Sequence, residues 1–245
     1  MTGAATLTGF ASLSLLILAG PAAAQDISIN LGEGAGLTER VIQLIALITV
    51  LSLAPSILVM MTSFTRIVVV LSLLRTALGT GTAPPNAVIV ALALFLTAFI
   101  MGPAFQNAYD VGIRPLINNE ITTEQAFERS SGPFKTFMLK NVREKDLTLF
   151  MDLSREQRPA APEDISLRIL IPAFMISELK RAFEIGFLLF LPFLIIDLVV
   201  ASVLMSMGMM MLPPVIVSLP FKLIFFVLVD GWTLVAGSLI QSYGT

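Results

Sequence analysis

Three ionisable residues, Asp197, Lys222 and Asp230, lie well inside apolar sequence. Charges in such places are costly, so they face a bundle interior or a cavity and pair with one another. Lys222 with one of the aspartates is the obvious pair. The structural reading leads: a buried ion pair that fixes helix register, within one chain or between subunits. A conducting or proton-relay role and plain solvent exposure stand behind it. Two carboxylates sharing a proton can also hydrolyse peptides. Ile-Ile-Asp197-Leu and Val-Asp230-Gly-Trp, however, lack the Gly-x-Gly-Asp context of intramembrane aspartyl proteases, and a nearby lysine would keep both groups ionised.

A second cluster is apolar. Met205, Met207, Met209, Met210 and Met211 make up five of seven consecutive residues, with Pro213 and Pro214 close behind and no charge in the run. Methionine is flexible and polarisable, so a cluster of it forms a surface that repacks around different shapes. Three readings stand. The run is a pliant seal or adaptable contact at a pore constriction, apolar packing filler, or a Cu(I) site of soft thioethers. No Cys or His accompanies the methionines for copper.

Composition removes most other chemistry. The chain has no cysteine and no histidine, which excludes disulfides, Cys or His zinc sites, thiol nucleophiles and Ser-His machinery. No Gly-x-x-x-x-Gly-Lys loop is present for a nucleotide,. A net charge of −2 gives no footprint for nucleic acid,. No cofactor, no metal and no enzymatic activity are therefore expected. Of the 245 residues, 56% are hydrophobic and 13% charged, against about 25% charged in soluble domains. With a mean hydropathy of +0.89, the chain reads as an integral membrane or membrane-complex protein.

The elements that must carry these residues are helical. Residues 1–24 look like a secretory signal peptide, with an apolar core at Leu13–Leu18 and an Ala-x-Ala pattern that places cleavage between Ala24 and Gln25, though the segment before the core has no Lys or Arg,. A linker covers 25–40. The first helical hairpin covers 41–108. Its first arm, Val41 to Leu74, exceeds the roughly 20 residues that cross a bilayer. Pro55 and the polar patch from Thr62 to Arg66 break or kink that arm,. Its second arm runs from Ala87 to Phe105 and ends near Gly102-Pro103. The intervening segment 109–170 is charged with both signs. It holds a short helix opened by a Thr122–Gln125 capping box and an imperfect amphipathic helix from Phe134 to Phe150 that includes Phe137. A long helix beginning at Ile165 leads into a second hairpin, 171–245, with the methionine turn and a last helix from Val215 to Ile240.

Two pairs on the long helix have helical spacing: Glu178–Arg181 at i,i+3 and Lys180–Glu184 at i,i+4,. Phe174, Phe183, Phe187, Phe190 and Phe193 line the same helix. Phe183, Phe187 and Phe190 share a face, read as helix–helix packing. If the signal peptide is cleaved, four crossings put residues 109–180 and the mature N-terminus outside the cytoplasm and the methionine turn inside. Arg66, Arg75 and Lys222 then agree with the positive-inside rule.

The fold class expected is an all-α membrane-complex protein: two long kinked helical hairpins with a mixed-charge, mostly helical extracytoplasmic segment between them. Longer motifs then identify relatives. Pro172-Ala-Phe-Met-Ile-Ser-Glu178-Leu-Lys180-Arg-Ala-Phe-Glu-Ile-Gly186-Phe resembles the FliP family of flagellar type III export proteins. So do Leu191-Pro-Phe-Leu-Ile-Ile-Asp197 running into the methionine turn, Leu219-Pro-Phe-Lys222-Leu, Val-Asp230-Gly-Trp232, Met60-Met-Thr-Ser-Phe-Thr-Arg66 and Ala83-Pro-Pro-Asn86. The resemblance covers about residues 41 to 245, and motifs this long are specific.

The resemblance implies a pore-forming subunit, in several copies, with FliQ-like and FliR-like neighbours. It implies FlhB-like and FlhA-like proteins on the cytoplasmic side and unfolded flagellar proteins as cargo. It implies an inner-membrane location in the flagellar basal body, with the large loop and the mature N-terminus periplasmic. It makes the methionines a channel gasket, and Arg66, Glu178, Lys180, Glu184, Asp197, Lys222, Asp230, Phe137 and Phe150 structural pairs or subunit contacts.

Overall fold

A computed structural model describes residues 59–154, 161–209 and 211–244, with positions 41, 42, 44, 45, 48, 49, 52 and 56. The chain divides into two units, Met1–Val50 and Leu51–Thr245. In the first, Val41, Ile42, Leu44, Ile45, Ile48 and Thr49 are helical and exposed, and the Thr49 hydroxyl donates to the Ile45 carbonyl at 2.7 Å. Everything that follows concerns the second unit.

The expected break in the first arm falls at the polar patch: a turn over 61–63 precedes α1 (Phe64–Leu78). Gly79 ends α1 in the left-handed conformation at φ 74°, which glycine adopts without a Cβ penalty. The second arm is α2 (Asn86–Ala108). It does not stop at Gly102-Pro103 but carries Pro103 inside it. It then widens into a π turn (Tyr109–Ile113) and ends in the single turn α3 (Arg114–Ile117). At the start of the π turn the Ser130 hydroxyl donates to the Ala108 carbonyl at 3.3 Å.

The charged segment differs from its sequence reading in two ways. The Thr122–Gln125 capping box forms in both directions, but it opens a helix that is not short: α4 (Thr123–Asn141) runs through Pro133. The amphipathic helix expected over 134–150 is two helices. The chain turns extended at Val142 and restarts as α5 (Glu144–Ser154). A tertiary contact holds this break, because the Arg143 N–H donates to the Ser177 hydroxyl at 3.0 Å. Glu144 and Asp146 in the first turn of α5 suit the positive end of its dipole,.

After a 3₁₀ turn at Pro162–Asp164, Ser166 caps α6 (Leu167–Ser206), an unbroken helix of 40 residues with Pro172 and Pro192 inside. At 1.5 Å per residue it is about 60 Å long. The last helix is also divided: α7 (Pro214–Leu228) and α8 (Gly231–Gln241) meet at 62° across Val229-Asp230. Asp230 sits in the left-handed region at φ 51°, which Asp tolerates better than most residues.

α1 is the central helix, packing on α6, α2 and α7. One core joins Ile67, Val70, Leu71 and Leu74 of α1 to Ile89 and Ala93 of α2, Phe193 of α6, Phe226 of α7 and Leu239 of α8. A second joins Met101, Phe134 and Met138 to Ile169, Leu170 and Phe174. Among the described residues there is no strand. α2 with its extension (Asn86–Ile117) and α6 are each long and apolar enough to cross a membrane, and the bent α7–α8 pair makes a third such span if taken as one. The fourth crossing expected, over Val41–Leu74, is interrupted by the turn at 61–63, and Pro55 with nine other positions between 43 and 58 lies outside the described residues.

Candidate functional site

Two buried polar knots hold the helices: one is built on Arg66 of the polar patch, the other on Lys222, a charge that the sequence placed in apolar surroundings. In the first, Arg66 of α1 and Glu178 of α6 are 1% and 0% exposed. The Arg66 Nε donates to Glu178 Oε2 at 2.9 Å and its Nη2 to Oε1 at 2.5 Å. This is a bidentate fork of the kind that makes arginine–carboxylate pairs geometrically specific. Glu178 therefore does not pair with Arg181, as helical spacing suggested; it is turned inward, where α1 supplies the cation. Two residues following α8 complete the knot. The Ser242 hydroxyl accepts from Arg66 Nη1 at 2.9 Å, and the Tyr243 hydroxyl donates to Glu178 Oε2. The Arg66 guanidinium lies 3.8 Å from the Tyr243 ring centroid, and Phe137 stacks on the same ring at 5.6 Å. Burial, and after it the Glu178 carboxylate, push the Tyr243 phenol above its ordinary range, so it donates as a neutral hydroxyl.

The second knot lies nearer the other end of α1. Lys222 of α7 pairs with Asp197 of α6 at 2.7 Å, and the Ser218 hydroxyl donates to the other Asp197 oxygen at 2.5 Å. Lys222 also donates to the Ala77 carbonyl at 3.2 Å. It thus places a cation at the last turn of α1, where the helix dipole is negative. Three helices meet on one ammonium group. Asp230 takes no part: it is exposed at the α7–α8 break, and its side chain does not cap α8. With both Asp197 oxygens taken by Lys222 and Ser218, the structure offers no dyad of Asp197 with Asp230.

The remaining expected residues are dispersed. Lys180 and Glu184 form an i,i+4 pair at 3.8 Å with more than half of each side chain exposed, and such pairs contribute little. Phe137 is half-buried between the two cores, and Phe150 packs on the second. Of the phenylalanines on α6, Phe174 and Phe193 are buried and Phe190 packs on the first core, but Phe183 and Phe187 are 58% and 64% exposed. Their shared face is not an internal packing face. The methionines cap the α6–α7 hairpin, where Gly208 turns the chain at φ 75°. Met205, Met207, Met209 and Met211 are 59%, 66%, 41% and 98% exposed. Met210, Ala24 and Gln25 lie outside the described residues.

Sequence reading missed Ser242, Tyr243, Ser218, Ser177 and Asp146. Ser177 lies 2.7 Å from Asp146 and locks α5 to α6. One signal was available for Tyr243: it continues the four-residue spacing of Val235 and Leu239 beyond the end of α8. Among the described residues no cluster of acidic side chains fits a metal ion. The arrangement is one of apolar helices fixed by buried pairs and ending in an exposed methionine turn.

The profile of the FliP family matches residues 47–239. A Caulobacter vibrioides protein named flagellar biosynthetic protein FliP is 62% identical over 241 residues, covering 98% of this chain and 91% of the relative. Proteins of the same name from Bacillus subtilis and Aquifex aeolicus are 56% identical over 202 residues and 52% identical over 235 residues. They cover 82% and 95% of this chain, and 91% and 98% of their own lengths.

Proposed function

The chain belongs to the FliP family, and on that footing we propose that it is a non-enzymatic, pore-forming core subunit of the flagellar type III export gate. It passes unfolded flagellar subunits across the bacterial inner membrane at the basal body. Its relatives carry the name flagellar biosynthetic protein, which supports the flagellar assignment. The observation that carries the pore reading is the exposed methionine turn at the tip of the α6–α7 hairpin, with Met211 98% exposed. An unburied apolar cluster on a fixed hairpin needs a partner surface. Methionines supply one that closes on itself and then on chains of varied shape. Met205, Met207, Met209, Met210 and Met211 are the gasket.

The chain acts in several copies with FliQ-like and FliR-like subunits, against FlhB-like and FlhA-like proteins on the cytoplasmic side. The signal segment 1–24 is removed between Ala24 and Gln25, and the segment 109–170 between the hairpins 41–108 and 171–245 is periplasmic. The exposed apolar faces of α6 and α7 support the assembly, since a helix apolar on all sides needs lipid or protein around it. The test is native mass spectrometry of the detergent-solubilised chain co-expressed with its FliQ-like and FliR-like neighbours. A defined hetero-oligomer with several copies of a chain starting at Gln25 is expected. A lone monomer starting at Met1 would overturn both the assembly and the processing.

A further inference from the structure

α8 is held by a narrow stripe. Gly231, Val235 and Leu239 are its buried residues, spaced one per turn. Ile240 packs half-buried on the first core, Trp232, 44% exposed, meets the Phe226 ring edge-on at 5.3 Å, and Leu234 is 58% exposed. One fully buried residue per turn is narrower than the apolar stripe with which a surface helix usually docks. At one end of α8 lies the 62° break. There Asp230 holds a left-handed conformation, and Gly231 lies so close to Phe226 that a Cβ would meet the ring at 2.2 Å. At the other end the stripe continues into Tyr243, 3% exposed. Tyr243 is sandwiched between the Arg66 guanidinium and the Phe137 ring and donates to Glu178. Ser242 accepts from Arg66 with its hydroxyl and, at 3.4 Å, with its carbonyl.

We propose that Ser242 and Tyr243 form a latch that closes α8 onto the bundle by completing the Arg66–Glu178 pair, with Val229-Asp230 as the hinge about which an unlatched α8 swings away. The latch is polar and buried, so its loss leaves a fully buried arginine and carboxylate short of partners, a state that favours opening of the local element. The rest of the bundle has contacts of its own. α1 remains packed on α6 through its own apolar face, and Lys222 still ties α7 to α6 and α1. This holds whether or not the chain lines a channel.

The absence of cysteine from the chain gives a direct test. Leu239→Cys, at a site 1% exposed in α8, and Leu74→Cys, at a site 0% exposed in α1, are each labelled with N-ethylmaleimide in detergent. The backgrounds are the unchanged chain, Tyr243→Phe, Tyr243→Ala and a chain stopped after Gln241. The labelling rate of Leu239→Cys rises on the order of tenfold with Tyr243→Phe, which keeps the ring and loses the donor. It rises on the order of a hundredfold with Tyr243→Ala and with the shortened chain, which lose the stacked ring as well. Leu74→Cys stays protected throughout. An unchanged Leu239→Cys rate in the Tyr243→Ala background overturns the latch. A Leu74→Cys rate rising in step with it overturns the local hinge, because the whole bundle would then be opening.

Discussion

The Arg66–Glu178 pair shows how two charges survive full burial. Two ions out of water repay their desolvation only with good geometry and full hydrogen bonding, and here a bidentate fork, a serine and a tyrosine supply both. Arg66→Met should therefore lower stability by about 3 kcal/mol or more, because Glu178 would stay buried and unpaired. The double change Arg66→Met with Glu178→Leu should recover much of that loss. Thermal unfolding in detergent checks both, and a double variant no better than the single one would contradict the account. Tyr243 adds a pH dependence. Its phenol lies beyond the end of α8 and is raised in the folded chain by burial and by Glu178. The fold thus favours the protonated form. That contribution is complete below the unfolded value near 10 and is lost as pH climbs above it. Melting temperature should hold steady up to about pH 9 and fall beyond pH 10, and Tyr243→Phe should flatten that alkaline limb. Lys222, Asp197 and Arg66 stood out in the sequence as charges in apolar or polar-patch settings, but their partners did not. Glu178 turns from Arg181, one turn away on its own helix, to a cation on α1 that only tertiary packing brings near.

At the scale of elements, local signals were readable and long-range ones were not. The Thr122–Gln125 box and the break before Phe64 follow from side-chain chemistry close in sequence. The stop at Val142 depends on Ser177 of another helix, and the bend at Asp230 depends on Phe226 lying against Gly231. Neither leaves a trace in apolar periodicity. Pro103 looked like a helix end, yet α2 continues through it into the π turn, on which α4 packs. That passage fixes another glycine. A Cβ on Gly112 would lie 1.9 Å from Ser130 Oγ and 2.8 Å from the Ala126 carbonyl oxygen. Gly112→Ala should push α4 away from the π turn and destabilise the chain by roughly 1–3 kcal/mol. Adding Ser130→Ala should recover only part of this, because the carbonyl cannot rotate aside. Full recovery in the double variant would show that backbone contact does not limit the approach.

At the scale of the molecule, the chain buries one face of each long helix and leaves the others apolar. Only 11% of the most apolar window of α6 is buried, and Phe183, Phe187, Leu194 and Leu198 look outward. The apolar groove of about 540 Å³ between α6 and α7 is lined by Ile196, Val200, Val203, Leu204, Phe221 and Phe225, among others. The sequence already indicated a chain that needs lipid or neighbours, and it located the methionine turn. It did not reveal which helix faces stay open, since a helix apolar on every side carries no sign of which side is covered. A methionine seal on the channel is tested by ion leak through the assembled complex in cell membranes. Met209→Ala, Met210→Ala and Met211→Ala, combined in one chain, should raise conductance while native mass spectrometry finds the assembly intact. Unchanged leak in an intact assembly would contradict the gasket.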